Sequence, residues 1–188
     1  MCWIGCDMKE KILKRDKCFL SSLEREHLEK IKEWRNAQMD VLRQHKPLTK
    51  ASQDVWWDQI NKPGQSQYLF SLYNNNNEFI GYCGVTNLHN VYKHAEISFL
   101  VDPSIKEESE EYAQIFSDVL SMLCQYAFNS LNLERVFTET YEFRKNHISV
   151  IEQFPFANEG TLKQHVFKKG RYYNSVMHSI LREEYEEL

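Results

Sequence analysis

The clearest alternation of apolar and polar positions lies in residues 94–101, and it predicts a strand. Its apolar positions are Ala95, Ile97, Phe99 and Val101. After Ser109 the apolar residues recur at helical spacing as far as Leu131, which predicts a long amphipathic helix. The junction between the two elements, residues 105–111, contains four glutamates and no glycine.

Similar patterns extend over most of the remaining chain and predict further strands and helices. The predicted strands cover residues 11–20, 67–72, 78–85, 135–140, 157–167 and 171–182, and the predicted helices cover residues 24–35, 50–60 and 145–153. In this order the elements predict an α/β (α+β) fold, in which a mixed sheet carries helices on both faces.

Composition and charge narrow the function classes. The chain has 188 residues, a net charge of −4 and 42% hydrophobic residues, which predict one globular domain without a general attraction to nucleic acid or to an anionic membrane. No apolar run approaches the ~18 residues of a membrane span, so a cytoplasmic location is expected. The cysteines and histidines show no metal-ligand spacing, and no metal is expected. We expect an irregular lead-in over 1–9, a single domain over 10–183 and a solvated tail over 184–188.

Four groups of residues carry a resemblance to a known family. They are Glu33-Trp34-Arg35-Asn36 with Arg43, then Ala95-Glu96-Ile97-Ser98, then residues 126–128 with 131–136, and finally residues 151–156 with 159–162 and 170–172. Their order and spacing over residues 10–183 resemble the GNAT superfamily of acetyl-CoA-dependent N-acetyltransferases. Within that superfamily they are most similar to the branch of ribosomal-protein N-terminal and amino-sugar N-acetyltransferases.

This resemblance implies a GNAT-like fold, with a mixed, mostly antiparallel sheet of about seven strands. It implies direct transfer of an acetyl group from acetyl-CoA to a primary amine, without a metal and without a covalent enzyme intermediate. As acceptor, an amino sugar, free or nucleotide-linked, is expected ahead of a protein N-terminus. The expected partner is therefore a small-molecule amine. A homodimer and a different acyl donor both stay open.

The resemblance also implies where acetyl-CoA binds. The central strand and the next one, 134–140, are expected to splay apart and leave backbone groups free for pantetheine. These groups belong to Phe99, Leu100 and Val101. The pyrophosphate is expected at the N-terminus of the following helix. The residues there are Lys106, Ser109, Glu110 and Glu111, with Arg144 and Asn146 on the other side of the cofactor.

Two segments depart from the family pattern. The pyrophosphate loop lacks the usual glycines, and from Lys106 to Glu111 one lysine and four glutamates give a net charge of −3. Arg144 and His147 stand where the family has Asn and Ser. One interpretation is a solvated helix start that still permits CoA binding through backbone amides and Lys106. The other is a weakened or lost CoA site, and hence a degenerate GNAT-fold binding or regulatory protein.

The candidate catalytic residues are Glu96 and Tyr172. Glu96 is expected to accept the proton of the amine, directly or through water, or to orient the substrate. Tyr172 in the closing hairpin is expected to give a proton to the leaving thiolate. Each residue has a structural alternative, because Glu96 also fits a buried carboxylate held by a neighbouring strand and Tyr172 also fits a core aromatic.

The candidate acceptor-binding residues lie in the first two helices and just after them. They are Trp34, Arg35, Asn36, Arg43 and Trp57. An arginine here suits a phosphate or carboxylate of the acceptor. The structural alternative is packing of the first helix with a surface arginine. Trp56 and Trp57 are adjacent, so only one of the two rings is expected in the acceptor pocket.

Overall fold

The computed structural model describes residues 10–186, in which one sheet of eight strands runs in the order β1-β2-β3-β4-β5-β6-β8-β7. The strands are β1 (Leu13–Lys14), β2 (Cys18–Ser22), β3 (Tyr68–Asn74), β4 (Phe79–His89), β5 (His94–Val101), β6 (Arg135–Tyr141), β7 (Ala157–Lys168) and β8 (Arg171–Leu181). The α-helices are α1 (Leu28–Ala37), α2 (Lys50–Ile60), α3 (Glu110–Gln125), α4 (Lys145–Gln153) and α5 (Arg182–Glu186), with a short 3₁₀ helix over Arg25–His27 and a π-helix over Tyr126–Ser130. The predicted fold class is confirmed, with one strand more than expected.

The strands β5 and β6 are the one parallel pair of neighbours in the sheet that residues 10–186 form. They pair only from His94 opposite Arg135 to Glu96 opposite Phe137. Beyond Glu96 the two strands diverge, although both continue for several residues. The divergence leaves an opening in the middle of the sheet, as the family resemblance implied.

The alternation along β5 directs its side chains to two cores on opposite faces of the sheet. Ile97 and Val101 pack with Phe116 of α3 in the larger core. Leu100 packs with Trp34 of α1 in the smaller core on the other face. The period of two along a strand therefore fixes which residues of β5 face α3 and which face α1.

The helix α3 begins where the sequence predicts. Ser109 is its N-cap, and the hydroxyl accepts a hydrogen bond from the Tyr112 amide at 3.1 Å. The apolar stripe of α3 is buried against the sheet. Among residues 10–186 no helix is long and apolar enough to cross a bilayer.

Two terminal segments differ from the prediction. The expected strand over 11–20 is a hairpin of β1 and β2, because the polar turn at 15–17 interrupts it and the Lys17 amide binds Asp118 of α3 at 2.7 Å. The expected solvated tail over 184–188 begins inside α5, where the Tyr185 ring packs on Phe128 with centroids 5.0 Å apart. The expected lead-in over 1–9 and residues 187–188 lie outside the described residues.

Candidate active site

The opening between β5 and β6 is a cavity of about 200 Å³. Its walls include Glu96, Phe99, Thr138, Glu139, Tyr141 and Arg144. The chain thus places the end of the central strand, the end of β6 and the start of α4 around one cleft. In sheets of this kind, ligands bind at the carboxyl ends of parallel strands, where the neighbouring strands separate.

One end of the cleft carries two carboxylates that share an arginine. Arg43 pairs with Glu96 and, at 3.2 Å, with Glu139. The other oxygen of Glu96 accepts a hydrogen bond from the Asn87 side chain at 2.7 Å, and Glu96 is only 2% exposed. Burial lowers the pKa of Arg43, but the charges of Glu96 and Glu139 outweigh that effect and hold it above its ordinary value. These three side chains sum to one negative charge, which is offset by Arg35, another residue of the cleft wall.

Two hydroxyl groups in the cleft wall are buried without a hydrogen-bond partner among the described residues. They are Thr138 Oγ1 and the hydroxyl of Tyr141, which is 4% exposed. Burial, partly offset by Arg43, raises the pKa of Tyr141, so the hydroxyl keeps its proton. Because buried polar atoms are nearly always paired, these two hydroxyl groups are available to a polar ligand or to water in the cleft.

The other end of the cleft lies where α3 and α4 begin. Arg144 Nε donates to Glu107 Oε2 at 2.9 Å, and its terminal nitrogen donates to the Tyr112 hydroxyl at 2.8 Å. The Tyr112 hydroxyl lies 2.7 Å from Nδ1 of His147, and the His147 amide donates to Glu107 Oε1 at 3.3 Å. Burial, helped by Arg144, lowers the pKa of His147 well below its ordinary value, so the ring is neutral and its Nδ1 accepts a hydrogen bond from the Tyr112 hydroxyl.

The acidic loop separates into inward and outward side chains. Glu110 and Glu111 are exposed in the first turn of α3, and Glu110 accepts a hydrogen bond from Gln114 at 2.8 Å. The Lys106 ammonium is also exposed and donates to the Pro103 carbonyl at 2.7 Å. Only Glu107 points toward α4 and Arg144. The interpretation of a solvated helix start therefore fits Glu110 and Glu111 but not Glu107.

The backbone of β5 at the cleft is already contacted at one point. The Gln38 side-chain amide donates to the Val101 carbonyl at 2.8 Å. Gln38 follows α1 directly, and together with Val41 and Leu42 it lines a small cavity next to Phe99, Leu100 and Val101. The edge that the resemblance assigns to pantetheine is therefore close to the cleft and already contacted at the Val101 carbonyl.

Several predicted site residues lie outside the cleft. Tyr172 is 60% exposed near the tip of the β7–β8 hairpin, where its ring contacts Phe167. Trp34 is buried and stacks on Phe79 with centroids 5.1 Å apart. Trp57 lines a separate cavity next to β3. The hairpin thus places Tyr172 at the surface, away from the residues that line the cleft, and its role as a proton donor stays a prediction.

The remaining predicted residues divide between the cleft and the scaffold around it. Arg35 lines the cleft and donates to the Tyr82 hydroxyl at 2.6 Å. Asn36 is a scaffold residue, since its side-chain oxygen accepts from the Leu48 amide at 2.7 Å and holds the segment after α1. Asn146 is exposed on α4. Of the expected acceptor residues, Arg35 and Arg43 are the two that the structure brings to the cleft.

The sequence reasoning missed the four residues at the end of β6. Thr138, Glu139, Thr140 and Tyr141 all line the cleft. Polar and aromatic residues at the end of a strand that pairs in parallel are the signal that would have found them. Glu107 and Gln38 were missed because nothing in their local sequence shows which way their side chains turn.

Three possible metal-binding side chains lie together away from the cleft. Ligand atoms of Glu24, Glu26 and His27 fall within 4.8 Å of one another. Both ring nitrogens of His27 are engaged, with Nδ1 accepting from the Glu24 amide at 3.1 Å and Nε2 lying 2.7 Å from the Tyr73 hydroxyl. These contacts make His27 a capping and packing residue, and the absence of a metal stays a prediction.

Solved structures with the same fold include polyamine acetyltransferases. The spermidine N-acetyltransferase of Vibrio cholerae in complex with CoA and spermine gives a TM-score of 0.78 at 19% identity, over 90% of this chain and 98% of that one. A dodecameric structure of that enzyme gives 0.76 at 18% identity, over 89% and 95%. At this identity the likeness shows the fold. It gives no specific support to the ribosomal-protein and amino-sugar branch.

Sequence comparisons give the family. The uncharacterized N-acetyltransferase YokL of Bacillus subtilis strain 168, derived from prophage SPbeta, is 32% identical over 69 residues, which span 37% of this chain and 39% of that relative. The uncharacterized N-acetyltransferase p20 of Bacillus licheniformis is 27% identical over 126 residues, 67% of this chain and 68% of that protein. The family model described as "Acetyltransferase (GNAT) domain" matches residues 20–177. The chain belongs to the GNAT acetyltransferase family.

Proposed function

We propose that this protein is an N-acetyltransferase that moves an acetyl group from acetyl-CoA directly to a primary amine. The observation that carries the proposal is the cleft where β5 and β6 diverge, with two buried hydroxyl groups and two carboxylates in its wall. Membership of the GNAT family supports the same activity.

The acyl end of the cleft fits the donor. The unpaired edge of β5 beyond Glu96 offers backbone groups to pantetheine, and Thr138 and Tyr141 offer hydroxyl groups to a polar ligand. Acetyl-CoA, when bound, supplies an activated acetyl group at this point. Gln38 leaves the Val101 carbonyl when pantetheine takes that edge.

Glu139 and Tyr141 supply the proton transfers. The two residues are two positions apart on β6, so their side chains leave the same face of the strand. Glu139 Oε1 is buried without a hydrogen bond among the described residues, although His165 lies 3.4 Å away, and it takes a proton from the amine. The Tyr141 hydroxyl gives its proton to the departing thiolate sulfur.

Glu96 has an orienting role in this scheme. Both of its oxygens already accept hydrogen bonds, from Arg43 and from Asn87. These contacts favour a carboxylate that fixes Arg43. Glu139 Oε1, which makes no hydrogen bond among residues 10–186, is then the proposed acceptor of the amine proton.

A cationic amine is the proposed acceptor. Glu139 Oε1 makes no hydrogen bond among residues 10–186, so it is available to accept a hydrogen bond from an ammonium group of the acceptor. The Vibrio cholerae neighbour named above is a spermidine acetyltransferase, which supports testing a polyamine first. The amino sugar and the protein N-terminus remain predictions, and the contacts of Trp34 and Asn36 within the scaffold weaken their basis.

Thiol release from acetyl-CoA tests the proposal. Purified protein is incubated with acetyl-CoA and with spermidine, glucosamine or a short peptide with a free N-terminus. We expect the release of CoA thiol to depend on the amine and to be largest with spermidine. We also expect a Kd for acetyl-CoA in the micromolar range, which corresponds to a binding free energy of roughly −7 to −8 kcal/mol. If millimolar acetyl-CoA does not shift the unfolding temperature, the proposal is refuted. Homodimer formation, also still a prediction, is checked by light scattering on the same sample.

A non-catalytic binding protein is the second candidate, and two contacts favour it. Glu107 pairs with Arg144 at the phosphate end, and Gln38 binds the Val101 carbonyl at the pantetheine edge. Both contacts occupy groups that a CoA ligand would need. If acetyl-CoA neither binds nor shifts the unfolding temperature while the protein is folded, this second function is favoured.

A further inference from the structure

Glu107 differs from the other acidic residues of its loop. Its side chain is 21% exposed, whereas Glu108, Glu110 and Glu111 are exposed to solvent. It accepts from Arg144 Nε at 2.9 Å and from the His147 amide at 3.3 Å. The loop therefore places one carboxylate between the starts of α3 and α4.

The groups that hold Glu107 are those that bind phosphate in proteins. Arg144 is only 14% exposed, and its guanidinium has a second contact with the Tyr112 hydroxyl at 2.8 Å. The His147 amide belongs to the first turn of α4, where amides lack a helical acceptor. A guanidinium beside an amide that has no helical acceptor binds anions strongly, because the hydrogen bonds from both groups to an anion are charge-assisted.

An independent feature indicates that a ligand reaches this region. Arg144 and Tyr141 line the same cavity, and the buried Tyr141 hydroxyl has no partner in the described part of the chain. A ligand that enters the cleft to pair with Tyr141 thus passes next to the guanidinium that Glu107 now holds.

We infer that Arg144 and the His147 amide form a phosphate-binding site, and that Glu107 occupies it as an internal carboxylate until the pyrophosphate of CoA displaces it. The inference rests on the proposed use of acetyl-CoA. The pyrophosphate would then bind at the start of α4 in addition to the start of α3. The loop before α3 contains no glycine that would let its backbone approach the pyrophosphate closely. Glu107 is then a built-in competitor that weakens CoA binding.

Replacement of Glu107 separates this competition from a general charge effect. We expect Glu107→Gln to lower the Kd for CoA about tenfold, which corresponds to ~1.4 kcal/mol. Glu108→Gln removes the same charge from the same loop at an exposed position and is expected to change the Kd less than about twofold. Equal effects of the two variants overturn the inference, as does any loss of affinity in Glu107→Gln when its unfolding temperature is unchanged.

Ligand fragments separate failure of the inference from failure of the proposed function. Pantetheine, which lacks the phosphates, is expected to bind the wild type and Glu107→Gln equally. Inorganic pyrophosphate is expected to bind Glu107→Gln and to shift the amide resonance of His147, and the added change Arg144→Gln is expected to abolish both effects. If CoA binds neither the wild type nor any variant, the proposed function is refuted. The pyrophosphate result still shows whether Arg144 and the His147 amide bind an anion.

If Glu107→Gln does not fold, Glu107→Ala and titration of the wild type with pyrophosphate replace it. The wild type is then expected to release the Glu107 contact, seen as a shift of the His147 amide resonance at high pyrophosphate. A His147 resonance that stays fixed at saturating CoA overturns the inference while leaving the proposed function intact.

Discussion

Replacement of Tyr141 by phenylalanine is expected to lower activity without lowering stability. Tyr141 is 4% exposed, and its hydroxyl has no hydrogen-bond partner among residues 10–186. Removal of that oxygen leaves the ring in place and breaks no protein hydrogen bond. The substitution is therefore expected to lower activity but to raise stability, and this combination distinguishes a catalytic hydroxyl from a structural one.

The expected magnitudes follow from the two roles of the hydroxyl. An unpaired buried polar group costs ~1–3 kcal/mol, so Tyr141→Phe is expected to raise the free energy of unfolding by up to about that amount. A positioned general acid contributes ~10²–10⁴-fold to rate. We therefore expect kcat to fall by that factor, equivalent to ~2.7–5.5 kcal/mol of activation free energy.

Tyr172→Phe is the matched control. It removes the same oxygen from the tyrosine that the family resemblance assigned to catalysis but that lies 60% exposed on the hairpin. Thiol release with spermidine and urea unfolding are measured for both variants. The structural assignment is refuted if Tyr172→Phe loses activity and Tyr141→Phe keeps it. A fall in both stability and activity of Tyr141→Phe would instead show that its hydroxyl has a structural partner.

Three further outcomes test the site and the scaffold. Glu110→Gln combined with Glu111→Gln is expected to change the Kd for CoA less than about twofold, measured by calorimetry, because both side chains face solvent. Gly84→Ala is expected to lower the free energy of unfolding by ~1–3 kcal/mol, measured by urea unfolding, because the added Cβ would overlap the backbone carbonyl of Tyr68. Burial, helped by Arg144, lowers the pKa of His147 well below its ordinary value of 6.5. Below pH 6.5, His147 is therefore protonated in the unfolded chain but stays neutral in the folded chain. Stability should therefore fall below pH ~6.5 by up to ~1.4 kcal/mol per pH unit, and His147→Gln should reduce that slope in urea unfolding.

The starts of the elements with strong local signals were predicted within a residue or two, but the predicted long helix ran to Leu131, whereas α3 ends at Gln125 and a π-helix follows it. The strand at His94–Val101 and the helix that begins after Ser109 follow from periodicity and a capping residue, both of which are local. The hairpin of β1 and β2 was read as one strand. Its turn depends on a contact between Lys17 and Asp118, about a hundred residues later, which no local pattern contains.

The site was predicted in part, because proximity in space depends on how the strands turn. Glu96 and Arg43 were both expected near the acceptor, and the structure joins them as an ion pair. Trp34, from the same motif, instead faces the core, since its place on α1 puts it against Phe79. Tyr172 and Tyr141 show the limit most clearly: one faces solvent and the other the cleft, because β6 ends at the opening and the β7–β8 hairpin extends beyond it.

The acidic loop illustrates why net charge alone is a poor guide to a binding site. In the sequence its four glutamates count equally against an anionic ligand, whereas in the structure three of them are exposed and their repulsion is screened by water and salt. Glu107 acts differently, because it is partly buried and occupies the hydrogen bonds of Arg144 and the His147 amide. The pyrophosphate of CoA carries two negative charges and Glu107 carries one, so the pyrophosphate gains more from the same guanidinium and amide and displaces Glu107. The affinity for CoA therefore depends on the exchange of Glu107 for the pyrophosphate at Arg144. The change in the Kd for CoA on substitution of Glu107 measures the cost of that exchange.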